Sequence, residues 1–266
     1  MDLALKDKVV VITGGSSGIG LGAARRFAQE GAKLFLCARR IDVLRSAAEE
    51  IVALTGADVA FSKTDITNLK EIDAMRVAVE RRFGRIDVLV NNAGAGIYKP
   101  FLEVTEEDLR LGMTMNFFSQ FRVSQRFVPM MITQRSGNIV NVAGCSGLQV
   151  LEPPFFSTCT GPAKAAEIRF TKALAAELGA FNIRVNCVAP NFVDVPEHVE
   201  RWQRDMGNEH SNMEQLRYKW ASRVTLPNRR WATIDEAVST ILFAASPASS
   251  YTTGTVFVVD GGFDRG

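Results

Sequence analysis

Short runs of Val, Ile and Leu recur along the chain, each followed by a longer stretch whose apolar positions return at helical spacing. The runs fall at 8–13, 33–37, 58–61, 86–90, 138–142, 183–188 and 255–259. They are apolar throughout rather than alternating, which predicts strands buried on both faces, as in a parallel sheet. Strands that alternate with helices predict a doubly wound α/β fold: a seven-stranded parallel sheet with helices on both faces. Punctuation supports the same division. Thr105 and Thr233, each followed by acidic residues, read as helix N-caps. Gly31 reads as the left-handed residue that closes the first helix. No linker, repeat or low-complexity tract interrupts the pattern, so residues 1–266 are expected to form a single domain. The stretch 194–226 lacks strand character and exceeds an ordinary connection. Trp202, Met206, Met213, Tyr218 and Trp220 make it a candidate substrate lid.

Composition narrows the function classes. The 31 basic and 29 acidic residues nearly cancel, leaving no global field for nucleic acid or an anionic membrane. No apolar run reaches the length of a membrane span, and the N-terminus lacks the pattern of a signal peptide. Cys37, Cys145, Cys159 and Cys187 are scattered, and His198 and His210 are the two histidines, a set with no metal-site spacing. Reduced thiols in the cytoplasm are the expectation.

Chemistry enters at the first strand-to-helix turn. Gly14, Ser16, Ser17, Gly18, Ile19 and Gly20 stand between a buried strand and an Ala-rich helix. Such a turn must be tight, must admit a diphosphate to the backbone and must let helix and strand pack closely; glycine answers each need, and the helix N-terminus stabilises phosphate charge. The second strand ends in Ala38, Arg39 and Arg40. A carboxylate there would suit the ribose hydroxyls of NAD, whereas guanidinium groups suit a 2′-phosphate. The expected cofactor is therefore NADP(H).

These motifs, with Asp65-Ile66 after the third strand, Asn91-Asn-Ala-Gly94 after the fourth and the closing Val259-Asp-Gly-Gly262, resemble the short-chain dehydrogenase/reductase family over nearly the whole chain. The resemblance implies a Rossmann-type sheet. It implies that Asp65 and Ile66 meet the adenine, and that Asn92, Ala93, Gly94, Lys164, Pro190 and Val193 complete the cofactor groove. It also implies a homotetramer or homodimer packed through the long helices after strands four and five.

Family members that transfer hydride carry Asn, Ser, Tyr and Lys, because the substrate oxygen needs a proton as hydride reaches its carbon. Asn116 and Lys164 match the asparagine and the lysine. Thr160 stands where the resemblance places the tyrosine, and Gly144 where it places the serine. The family's Pro-Gly reads Pro190-Asn191, and its following threonine aligns with Val195. The adenine end is thus kept while the nicotinamide end is rewritten. Ser146 is a candidate replacement for the serine, Thr160 and Tyr218 are candidate proton donors, and Cys145 and Cys159 are candidate nucleophiles if Lys164 lowers their pKa. Three readings stay open. The first is an NADP(H)-dependent oxidoreductase on a small apolar or aromatic carbonyl or alcohol. The second is a non-redox lyase, isomerase, dehydratase or cyclase using Lys164 and Asn116. The third is an inactive NADP(H)-binding protein.

Overall fold

The seven apolar runs pair into one sheet, in the order β3-β2-β1-β4-β5-β6-β7, with every pairing parallel. The strands are β1 (Val9–Thr13), β2 (Lys33–Ala38), β3 (Val59–Lys63), β4 (Val88–Asn91), β5 (Gly137–Val142), β6 (Ile183–Pro190) and β7 (Val256–Val259). The computed structural model describes residues 2–151, 156–196, 199–200 and 213–263. Trp202 and Met206, on which part of the lid reading rests, lie outside them, as do His198 and His210.

Alternate residues of each strand feed opposite sides of the sheet. Val10, Ile12, Leu34 and Leu36 pack on one side against α1 (Gly18–Gln29), α2 (Ile41–Thr55) and α8 (Ile234–Ala245). Val11, Phe35, Leu89 and Ile139 pack on the other against α3 (Leu69–Phe83), α5 (Ser119–Gln134) and α6 (Thr160–Leu178). Burial on both faces explains why these strands read as continuous apolar runs. The strand order reverses between β1 and β4, which opens a crevice at the carboxyl ends of those strands, the usual ligand position in such sheets.

The predicted caps form. Thr105 starts α4 (Glu106–Met113) and Thr233 starts α8, each in a reciprocal capping box, with Asp108 and Glu236 as the returning carboxylates. Gly31 follows α1 at φ 77°, as its left-handed role requires. Glu236 also takes a bidentate ion pair from Arg230, at 2.7 and 2.8 Å. That guanidinium, then the Thr233 N–H, holds its carboxyl down at about 2. A depressed folded-state pKa contributes stability above the ordinary carboxylate range, and the contribution fades as pH falls through about 2. Thr233→Ala should lower stability by about 1 kcal/mol. Glu236→Gln should lower the thermal midpoint at pH 7 and bring wild type and variant together toward pH 2; a gap constant across that range would contradict the assignment.

The described part of 194–226 contains α7 (Met213–Ala221). Its Trp220 is almost fully buried and stacks on Phe263, with Phe192 and Trp231 completing an aromatic cluster. Tyr218, by contrast, is 79% exposed on the same helix. None of the described helices is long and apolar enough to cross a membrane.

Candidate active site

A cavity of about 760 Å³ opens at the carboxyl ends of the central strands. Its floor is the turn after β1, where Gly14 and Gly18 take positive φ values of 69° and 55°. Gly20 is required by closeness rather than conformation, since a Cβ there would lie 2.2 Å from the Gly14 carbonyl oxygen. Ser17 is the N-cap of α1 but its hydroxyl makes no capping bond, and the helix's first turn carries no acidic residue. Thr13 ties this turn to the next loop. Its Oγ1 accepts the Asn92 and Ala93 N–H groups at 3.0 Å, and Asn92 Nδ2 donates to the Thr13 carbonyl.

Most of the residues expected at the cofactor end line this one cavity: Gly14, Ser16, Ser17, Ile19, Arg39, Arg40, Ile66, Asn92, Ala93, Gly94, Pro190 and Val193. Gly18 and Gly20 shape the floor without lining it. Asp65 is absent from the lining, and its carboxylate accepts instead from the Thr67 backbone N–H and hydroxyl, forming the turn that leads to α3. Arg39 and Arg40 are exposed on the rim after β2, and neither enters an ion pair among the described residues.

The far end of the cavity gathers Asn116, Gly144, Ser146, Thr160 and Lys164. Asn116 sits in a π-helical turn between α4 and α5, Thr114–Phe118, a distortion often found at functional sites. Its amide is fully engaged. Nδ2 donates to the carbonyls of Ala95 and Gly112 at 2.7 and 3.0 Å, and Oδ1 accepts the Ala95 N–H. Lys164, four residues into α6, donates from Nζ to the Val142 carbonyl at 3.1 Å and to Glu167 at 3.0 Å. Glu167 is wholly buried, and burial pushes its carboxyl pKa up against the pull of Lys164. The side chain of Gln120, also buried, adds to that pull.

Several chemical expectations change on this geometry. Thr160 does not present a loose hydroxyl, because its Oγ1 donates to the Ile97 carbonyl at 3.0 Å and accepts the Ile97 N–H at 2.7 Å. Tyr218 is outside the cavity lining. Cys159 is also outside it, and burial raises its thiol pKa, the reverse of what an activated nucleophile needs. Cys145 lines the cavity, with Sγ donating to the Ala189 carbonyl. Two residues that sequence reasoning did not place in the site belong to it. Tyr98 lines the cavity, and Glu167 stands behind the lysine. Glu167 had a readable signal in its three-residue helical spacing from Lys164.

The fold and cavity define a doubly wound α/β protein with its ligand crevice at the switch point of the sheet. A family model described as enoyl-(acyl carrier protein) reductase matches residues 14–264. The 3-oxoacyl-[acyl-carrier-protein] reductase of Chlamydia muridarum is 36% identical over 262 residues, covering 98% of this chain and 99% of that protein. Rat dehydrogenase/reductase SDR family member 6 is 33% identical, covering 97% and 98% respectively. Among solved structures, L-sorbose reductase of Gluconobacter frateurii, complexed with NADPH and L-sorbose, superposes with a TM-score of 0.91 at 32% identity over 99% of this chain and 98% of that one. The chain belongs to the short-chain dehydrogenase/reductase family.

Proposed function

We propose that this protein is an NADP(H)-dependent oxidoreductase that interconverts a carbonyl and an alcohol on a small apolar or aromatic molecule, through an active site that departs from the family pattern. The observation that carries the reading is the joining of two ends in one cavity. The glycine turn with Arg39 and Arg40 lies at one end, and Lys164 with Asn116 at the other. The residues fit the cofactor. Close-packed glycines leave backbone open to a diphosphate, the Ser17 hydroxyl is not spent on its helix, and two exposed guanidiniums after β2 suit a 2′-phosphate. L-Sorbose reductase, which holds NADPH, shares this fold across its length. Bound there, NADPH would supply hydride to a carbonyl carbon, while the chain's own groups orient the substrate and manage the proton. Asn116 fixes the loop at Ala95, and Lys164 brings a cation to the cavity wall. Thr160 and Gly144, in place of the family's tyrosine and serine, make the proton path the unusual part of the site.

Cofactor choice is the direct test. Titration by energy transfer from protein tryptophan should show NADPH binding below millimolar concentration and more tightly than NADH. A charge-assisted hydrogen bond is worth about 1.5–3 kcal/mol, so Arg39→Ala or Arg40→Ala should weaken NADPH by roughly 10- to 100-fold. NADH affinity should hardly move. Equal affinity of wild type for the two nucleotides would overturn the assignment.

The same reading extends to assembly as a homotetramer or homodimer. Phe117, Phe121 and Phe170 form a ring cluster shared by the π-helical turn, α5 and α6, and Phe118 and Phe121 are about two-fifths exposed. An apolar face of this kind favours a partner surface. A monomer in light scattering at micromolar concentration would count against it.

A further inference from the structure

The hydroxyl at position 160 is bound at both lone pair and proton, yet carbonyl reduction needs an acid beside the substrate oxygen. What Thr160 holds is informative. Its two bonds fasten both backbone groups of Ile97, 63 positions away in the chain. The next residue is Tyr98, which lines the cavity together with Asn116, Thr160 and Lys164.

The direction of that ring can be read from the glycines beneath it. A Cβ at Gly96 would lie 2.3 Å from the Tyr98 ring, 2.6 Å from its Cζ and 2.7 Å from its hydroxyl oxygen. The phenol therefore folds back along its own loop, with the hydroxyl end over Gly96. Two residues earlier, a Cβ at Gly94 would lie 2.8 Å from Asn116 Oδ1 and 3.5 Å from Lys164 Nζ. The hydroxyl end thus lies two residues along the loop from Gly94, which faces the asparagine and the lysine. Any side chain at position 96 would displace it.

We propose that Tyr98 is the proton donor of carbonyl reduction, carried on the loop after β4, and that Thr160 is the positioning residue that clamps this loop. The proposal rests on the oxidoreductase reading above. As hydride from reduced nicotinamide forms the new C–H bond, the C=O π pair moves onto oxygen. The Tyr98 O–H bond breaks to give that oxygen its proton. The phenolate left behind takes a proton from water. In the reverse direction the phenolate takes the proton of the alcohol. The phenol that the family carries on its α6 helix is thus supplied from across the cavity, and the threonine left on α6 holds it there.

The test uses the whole protein with NADPH and a panel of benzaldehyde, cyclohexanone and ethyl acetoacetate, followed at the nicotinamide absorbance band. Tyr98→Phe keeps the ring and removes the hydroxyl. It should retain the thermal midpoint and the NADPH affinity within about twofold, while kcat falls roughly 100-fold or more with KM little changed. Thr160→Ser keeps both bonds to Ile97 and should stay within a fewfold of wild type. Thr160→Ala frees the loop and should lower kcat about tenfold or more without weakening NADPH. A Tyr98→Phe protein as fast as an active wild type overturns this assignment and leaves the oxidoreductase reading standing. A wild type that binds NADPH but reduces none of the carbonyls overturns both.

Discussion

Lys164→Met should abolish turnover and destabilise the fold by about 3–5 kcal/mol near neutral pH, because it leaves one half of a buried ion pair behind. Lys164 Nζ lies 3.0 Å from a carboxylate that is wholly buried. Glu167 already has a raised pKa, with burial the main cause, Lys164 the main opposing one and Gln120 a smaller one. Removing the lysine deletes the larger opposing influence, so the folded carboxyl keeps its proton to still higher pH. A group whose folded pKa exceeds its unfolded value contributes stability below the unfolded pKa and loses it as pH rises through the folded one. The deficit of the variant relative to wild type should therefore grow as pH rises above the ordinary carboxylate range in urea denaturation. A deficit independent of pH would mean that Glu167 is not the group left stranded. Replacing both partners, Lys164→Met with Glu167→Leu, should recover most of the stability, because an apolar pair of similar volume avoids the desolvation of two charges. Turnover should not return. The double variant therefore separates the lysine's part in the fold from its part in the chemistry.

The sheet, the caps and the glycine turn were legible because each is written in neighbouring residues. Continuous apolarity marks a strand buried on both faces, and Thr233 with Glu236 marks a helix start within four positions. The Arg39-Arg40 pair was legible for the same reason, since it directly follows β2. Tyr98 was not, and neither was the burial of Glu167. Tyr98 sits in a connection, and its place in the cavity depends on bonds between Ile97 and a helix 63 residues later. Glu167 at three residues from Lys164 reads as an ordinary surface pair on a helix. Its burial comes from packing α6 onto the sheet, with Thr171 and Asn141 forming polar contacts beside it. Spacing shows that two charges can meet, but only the packed neighbours show whether water reaches them. The same holds for Thr160. A threonine in place of a tyrosine reads as a missing acid, and the fold shows that its hydroxyl is committed to a backbone.

Two glycines, one beneath the cavity floor and one in its lining, should respond oppositely to a side chain. At Gly20 a Cβ would lie 2.2 Å from the Gly14 carbonyl oxygen and 2.9 Å from its carbonyl carbon, with Asn92 Nδ2 at 2.5 Å. Two of these atoms are backbone and cannot rotate aside. Gly20→Ala should therefore push the phosphate turn away from α1, lowering stability by about 1–3 kcal/mol, as overpacking does. The cofactor effect should be larger, with NADPH affinity falling roughly 100-fold, because the turn and the helix N-terminus must act on the same phosphates. At Gly144 the backbone is extended, with φ 167°, and an added Cβ would find its nearest neighbours, Pro190 O and Ser146 Oγ, at 3.8 Å. Gly144→Ser should leave stability within about 0.5 kcal/mol. It also returns a hydroxyl to the position where the family resemblance places the serine. One neutral hydrogen bond to the substrate oxygen, worth about 0.5–1.5 kcal/mol, should raise kcat/KM roughly two- to tenfold. Steady-state kinetics and tryptophan energy transfer on the two variants check both halves. If Gly20→Ala bound NADPH like wild type, the glycine turn would have to be discarded as the phosphate site. A fall in kcat/KM on Gly144→Ser would mean that the substrate oxygen approaches from another wall of the cavity.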